Sequence, residues 1–170
     1  MRWGSNLRDN KPKNDVEKFE KLLVAVVWHL NKHFIYPTVD YVKAVLYFCD
    51  LDYYEKFEKQ LAGMTYRRVG NFLEIRFFDD VLKNLIRQGI LEIHNGRLFT
   101  DYKPPLQRRE ARFVASKVES LHKFSEDAIW DYLRRDIPFL SAFDGDVIEY
   151  ESVFYRSFDY SVRLREKELE

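Results

Sequence analysis

Phe19, Leu22, Leu23, Val26, Val27, Leu30 and Phe34 recur at three- and four-residue intervals, which places all seven on one stripe of an α-helix. A stripe of that width needs a comparable apolar surface to bury it, so the chain is built by packing helices. Asn14 with Glu17 three residues on forms a capping-box pattern that starts this helix. Pro37 stops it, because the residue before a proline is driven out of helical geometry.

The same reasoning extends along the chain. Thr38 or Asp40 caps a second helix whose buried face holds Val42, Val45, Leu46 and Cys49, running on through Tyr53, Phe57 and Leu61 to Gly63. Residues 63–71 read as a connecting loop or short strand around Tyr66-Arg67-Arg68. A third helix over about 77–88 aligns Phe78, Val81, Leu82, Leu85 and Ile86 and ends at Gly89. Asn95-Gly96 between two short apolar runs predicts a hairpin, since both turn positions of a tight hairpin need positive φ. Helices over 108–122 and from Ser125 to near Pro138 follow, then a strand over Val147–Tyr150. The expectation is a mainly α (α+β) domain over 15–158 with one short hairpin and a winged-helix-like segment. It is preceded by a mobile basic lead-in over 1–14, pinned by Trp3, and followed by a charged, fraying tail over 159–170.

Composition limits the function classes. Of 170 residues, 28 are Lys or Arg and 28 are Asp or Glu, so no whole-molecule field draws the chain to nucleic acid. The one cysteine, Cys49, excludes an internal disulfide framework, and its place on a helical stripe makes it a core residue. No apolar run reaches the length of a membrane helix, and the amino terminus lacks a secretory signal, so the expected home is cytoplasmic with no membrane partner. No glycine-rich phosphate loop and no GxSxG elbow occurs. His29 and His33 share a helix face, but Leu30 follows His29 where zincin chemistry requires glutamate, and no third ligand stands nearby in sequence. The sequence therefore predicts no enzyme, no metal and no cofactor.

Two binding surfaces suggest themselves. A helix followed by a hairpin is the closing unit of a winged helix-turn-helix, which makes Lys83, Asn84, Arg87 and Arg97 candidate DNA contacts. Asp79 and Asp80, at the end of that helix that must approach the bases, argue against it. The second surface follows from the surplus of aromatics, 14 Phe, 11 Tyr and 3 Trp, a type enriched at protein interfaces as well as in cores. Tyr54, Tyr66, Arg67, Arg68 and Phe72, beside the glycine-flanked loop, are the candidate partner contacts.

Several stretches together resemble the Panacea, or SocA-like, antitoxin domain. Lys43-Ala-Val-Leu-Tyr-Phe-Cys-Asp50 is similar to its K-L-L-Y-F-A-D signature, and Leu61-Ala-Gly-Met-Thr-Tyr66 to the hydrophobic-x-G-x-x-Y/F element that follows. Gly145-Asp-Val-Ile-Glu-Tyr150 is similar to its closing G-x-x-I-x-Y. Asn71 stands where the family has proline, and the Ser/Thr-His before a Pro-Trp pair is missing around Arg134–Phe139, as in a diverged member. The resemblance, over about residues 19–156, implies a non-enzymatic protein that neutralises a cognate toxin encoded by an adjacent gene. Some relatives present the toxin to a protease, so a protease is a second implied partner, and a homodimer is left open.

Overall fold

The computed structural model describes residues 11–169. It shows a mainly helical domain with small antiparallel hairpins. Helix α1 (Val16–Lys32) lays its stripe into the core and α2 (Val39–Phe57) crosses the centre, buried on nearly every face. Thr38 caps α2 by accepting from the Tyr41 amide, and the helix stops at Glu58 in a left-handed conformation, short of Gly63. Asp15, rather than Asn14, is the cap of α1 and accepts from the Lys18 amide. Asn14 serves a different end. At φ 50 it exchanges side-chain hydrogen bonds with Thr65, while its amide and that of Asp15 donate to the carbonyls of Gly63 and Ala62. Residues 11–15 are thus strapped to the 60–65 connection. The rest of the basic lead-in, residues 1–10 with Trp3, lies outside the described residues.

The 63–71 stretch holds a strand, and that strand has a partner the sequence did not announce. β1 (Tyr66–Val69) pairs antiparallel with β2 (Phe72–Ile75) through a Gly70-Asn71 turn, so the domain has two hairpins where one was expected. Gly70 has φ 60, a conformation that suits glycine. α3 (Phe78–Arg87) follows, then the Asn95-Gly96 hairpin of β3 (Glu92–His94) and β4 (Arg97–Phe99), both turn residues at positive φ as the dipeptide predicts.

α4 (Arg108–Leu121) packs on α1 and α2, and α5 (Glu126–Arg134) on α2, with Ser125 capping α5 through the Ala128 amide. Pro138 does not end a helix; it lies in the first turn of α6 (Ile137–Ser141), where its missing N–H costs nothing. The strand expected over 147–150 is shifted and shorter. Residues 145–148 run along the free edge of β1, with Arg68 and Asp146, and Ile148 and Tyr66, joined through their backbones, before a 3-10 helix over Tyr150–Tyr155. Residues 159–170 were expected to fray. Instead α7 (Val162–Leu169) docks on α2, where Ser161 and the amides of Val162 and Arg163 donate to the Glu55 carboxylate.

Candidate functional site

The five residues singled out around the glycine-flanked loop separate by strand register. Tyr66 and Arg68 point inward with Leu73 and Ile75, whereas Arg67, Val69, Phe72 and Glu74 share the outer face. Tyr66 is fully buried and donates its hydroxyl to Asp50 Oδ2 at 2.7 Å. Tyr54 is fully buried too, its ring edge-on to Tyr150 at 5.5 Å. Both tyrosines are core residues and offer a partner nothing, a correction to the sequence reading. The cause is that the loop folds as a strand whose alternation turns Tyr66 inward, while α2 has no solvent face at Tyr54.

Arg68 is half-buried and committed: its Nη1 donates to the carbonyls of Phe139 and Ala142, and its guanidinium lies 4.4 Å over the Phe139 ring. It locks the hairpin to the 139–147 segment. Arg67 and Phe72 remain on the surface, Phe72 leaning on Trp130 at 5.1 Å under the Arg134 guanidinium. The 139–147 segment adds three exposed apolar side chains that the sequence reading missed, Leu140, Phe143 (80% exposed) and Val147, the last paired directly with Arg67. The available signal was the apolar character of Leu140 and Phe143 just before the Asp144-Gly145-Asp146 turn, where no helical or strand period accounts for them; Val147 opened the strand expected after it. Val69, Phe72 and Val147 share the outer face with Arg67, and Phe143 lies beside Val147; Gly70 N–H, donating to Asp144, and Arg134, donating to the Asn71 carbonyl, tie the backbone beneath them.

The nucleic-acid candidates are arranged differently. Lys83 and Arg87 are exposed, four residues apart on α3, with Asn84 half-buried between them. Arg97 is exposed on β4, but its Nη1 donates to the Tyr36 carbonyl, which ties it to the α1–α2 connection. Asp79 and Asp80 are both exposed in the first turn of α3. A denser cationic surface lies elsewhere. A groove of about 940 Å³ between α4 and α7 is lined by Lys56, Arg108, Arg109, Arg112, Lys117 and Arg165, with Glu166 the one acid among its lining residues. Arg109 stacks on Phe57 at 3.7 Å, and Lys56 pairs with Glu166 at 2.8 Å.

Behind that groove lies a buried ionic network that spacing alone does not reveal. Arg156 is fully buried and places its guanidinium 2.6 Å from Asp52, 3.0 Å from Glu55 and 2.7 Å from Asp136, while Lys117 reaches Asp52 at 2.6 Å. Tyr47 donates to Asp136 at 2.9 Å. Burial opposes the charge on Asp52, but Lys117 and Arg156 more than offset it and hold its carboxyl below the ordinary range. For Asp136 burial prevails, only partly countered by Arg156, and its carboxyl sits above that range. Lys117 reaches the groove, but every charge of the network is paired within the protein, so the network's evident work is to join α2, α4, α6, the 3-10 helix and α7. Cys49 is buried with its thiol pushed up by desolvation, which keeps it protonated and inert.

Compared with known proteins, the chain matches no family model, no curated protein and no solved structure. Among the described residues, no helix is long and apolar enough to cross a membrane.

Proposed function

We propose that this protein is an antitoxin-like binding module that neutralises a cognate protein toxin by docking it on the β1–β2 hairpin and the 139–147 segment. The observation that carries this reading is the set of exposed Val69, Phe72, Phe143 and Val147 beside Arg67 on a backbone tied by Arg68 and Arg134. Exposed aromatic and aliphatic side chains held rigidly around an arginine are the makings of an interface hot spot, since little conformational entropy is lost on docking. The sequence resemblance to SocA-like antitoxins supplies the partner class, and a protease that receives the delivered toxin fits the same adaptor role. The test is growth of a host expressing the adjacent gene, alone and with this chain. Arrest by the neighbour, rescue by the wild type and failure of rescue by Phe72→Ser with Phe143→Ser support the reading. A harmless neighbour, or full rescue by the double variant, overturns it.

A second reading, a winged-helix-like DNA-binding regulator, is favoured by the exposed cations. The cationic groove of α4 and α7 gives it more charge than α3 does, three of its arginines lying on a single helix. Duplex binding that steepens with falling salt and is lost in Arg108→Glu with Arg112→Glu supports the groove. Loss confined to Lys83→Glu with Arg87→Glu supports the recognition-helix arrangement instead, and salt-independent or absent binding rejects both.

A further inference from the structure

Helices α1 and α4 lie side by side and run in the same direction. Lys18 meets Glu110 at 2.5 Å where both begin, and His33 and His122, the residues that cap them, meet where both end. The two imidazoles are stacked, with centroids 4.0 Å apart and planes within 10° of parallel. Glu119, less than one turn before His122, spans the pair: its Oε2 is 3.1 Å from His33 Nε2, and its Oε1 is 3.9 Å from His122 Nε2. One ligand atom from each residue lies within 4.8 Å of the other two.

We propose that His33, Glu119 and His122 form a binding site for a zinc-class divalent transition metal that ties the carboxyl ends of α1 and α4 together. The donor set decides the class of ion: two imidazole nitrogens and one carboxylate oxygen suit Zn²⁺, whereas Ca²⁺ and Mg²⁺ take oxygen ligands. The ligand atoms are near enough to close on an ion by side-chain rotation alone. Bonds of about 2.0–2.2 Å at tetrahedral angles hold neighbouring ligand atoms roughly 3.4 Å apart, between the 3.1 Å of the His33–Glu119 pair and the 3.9 Å of the Glu119–His122 pair. The stacked rings present parallel lone pairs, so binding turns one imidazole out of the stack to bring both nitrogens onto the ion. The parallel packing supplies the field, since the negative ends of two helix dipoles converge where the ion would sit. Glu119 is 67% exposed, with His33 and His122 partly so, which gives the ion an entry path and leaves its fourth position to water or to a side chain of a bound partner.

The sequence placed His29 and His33 on one helix face, but His29 packs edge-on against Trp28 at 5.0 Å and stays outside the triad. It therefore serves as the control. In a calorimetric titration of the chelator-treated full chain with Zn²⁺, one equivalent binds, and Co²⁺ in its place gives visible absorption of low-symmetry coordination. His33→Asn, His122→Asn and Glu119→Gln each weaken Zn²⁺ affinity at least about tenfold, the least that even outer-shell partners of a metal produce. His29→Gln leaves it within about twofold of the wild type, because loss of a group outside the coordination shell and its hydrogen-bonded supports has little to remove. Zn²⁺ also raises the melting midpoint of the wild type and leaves that of Glu119→Gln unmoved, a change at an exposed side chain that leaves the fold intact. No bound equivalent, or affinity undiminished in Glu119→Gln and His33→Asn, overturns the site.

Discussion

Tyr66 donates its hydroxyl to the carboxylate of Asp50 across 2.7 Å in the centre of the domain, and the same carboxylate accepts the backbone amides of Ala62, Gly63 and Met64. One buried acid of α2 thereby closes the 61–65 turn and seats the first hairpin on the helix. Burial pushes the Asp50 carboxyl up, with the Tyr66 hydroxyl and the three amides pulling against it.

Tyr66→Phe removes that hydroxyl and leaves a buried acceptor one donor short. The expected loss is about 1–3 kcal/mol of unfolding free energy, read from the urea midpoint at unchanged slope. A variant as stable as the wild type would show that the Asp50 hub does not depend on the Tyr66 hydroxyl.

Arg156→Met strands Asp52, Glu55 and Asp136 in the interior without their shared cation. Breaking a buried pair by removing one partner costs about 3–5 kcal/mol. Thermal melting of Arg156→Met beside the wild type checks this, and a shift of only a degree or two would contradict it. Replacing Arg156 together with its acids by apolar residues should recover much of the loss.

The pH dependence of stability carries two opposite signs. The folded Asp52 carboxyl lies below its ordinary value of 3.8, so its contribution is complete above that value and is lost as pH falls through the lower folded one. Asp136 lies above 3.8 in the folded chain, so the folded form holds the proton longer and stability declines as pH rises from 3.8 through the folded value. Asp52→Asn is therefore less stable at neutral pH yet loses less on acidification, whereas Asp136→Asn removes the decline above 3.8. Urea midpoints measured below and above pH 3.8 separate the two, since Asp52 differs between folded and unfolded chains on the acid side of that value and Asp136 on the other.

Phe143→Ser changes a side chain that is 80% exposed and makes no core contact worth the name, so its unfolding free energy should stay within about 0.5 kcal/mol of the wild type. If the hairpin face is the docking surface, the same change weakens toxin capture, read by calorimetry on the purified pair. Destabilisation beyond that range would mean that the 139–147 segment depends on Phe143 for its own fold.

Periodicity revealed α1, α3 and α4, and the Asn95-Gly96 dipeptide its hairpin, because each pattern is local. It did not reveal β2, whose Phe72-Leu-Glu-Ile75 is short and acquires its strand partner only through the Gly70-Asn71 turn. Nor did it separate Arg67 from Tyr66, since inward and outward positions of a strand are told apart only when its neighbours are known. The His33–Glu119–His122 group was hidden for a plainer reason: its members come from two helices whose shared direction no spacing records. Tyr54 looked available because aromatic residues serve cores and interfaces alike, and only the encirclement of α2 decides between them.

The ties that Arg156 makes to Asp52 and Ser161 makes to Glu55 span 104 and 106 residues. During synthesis α2 leaves the ribosome before Arg156 and Ser161 have been made, and at about 5–20 residues per second they follow roughly 5–20 seconds later. The enclosure of α2 is therefore a late event of synthesis: Lys117 reaches Asp52 first, and Arg156 and Ser161 complete the pairing only when the end of the chain has been made.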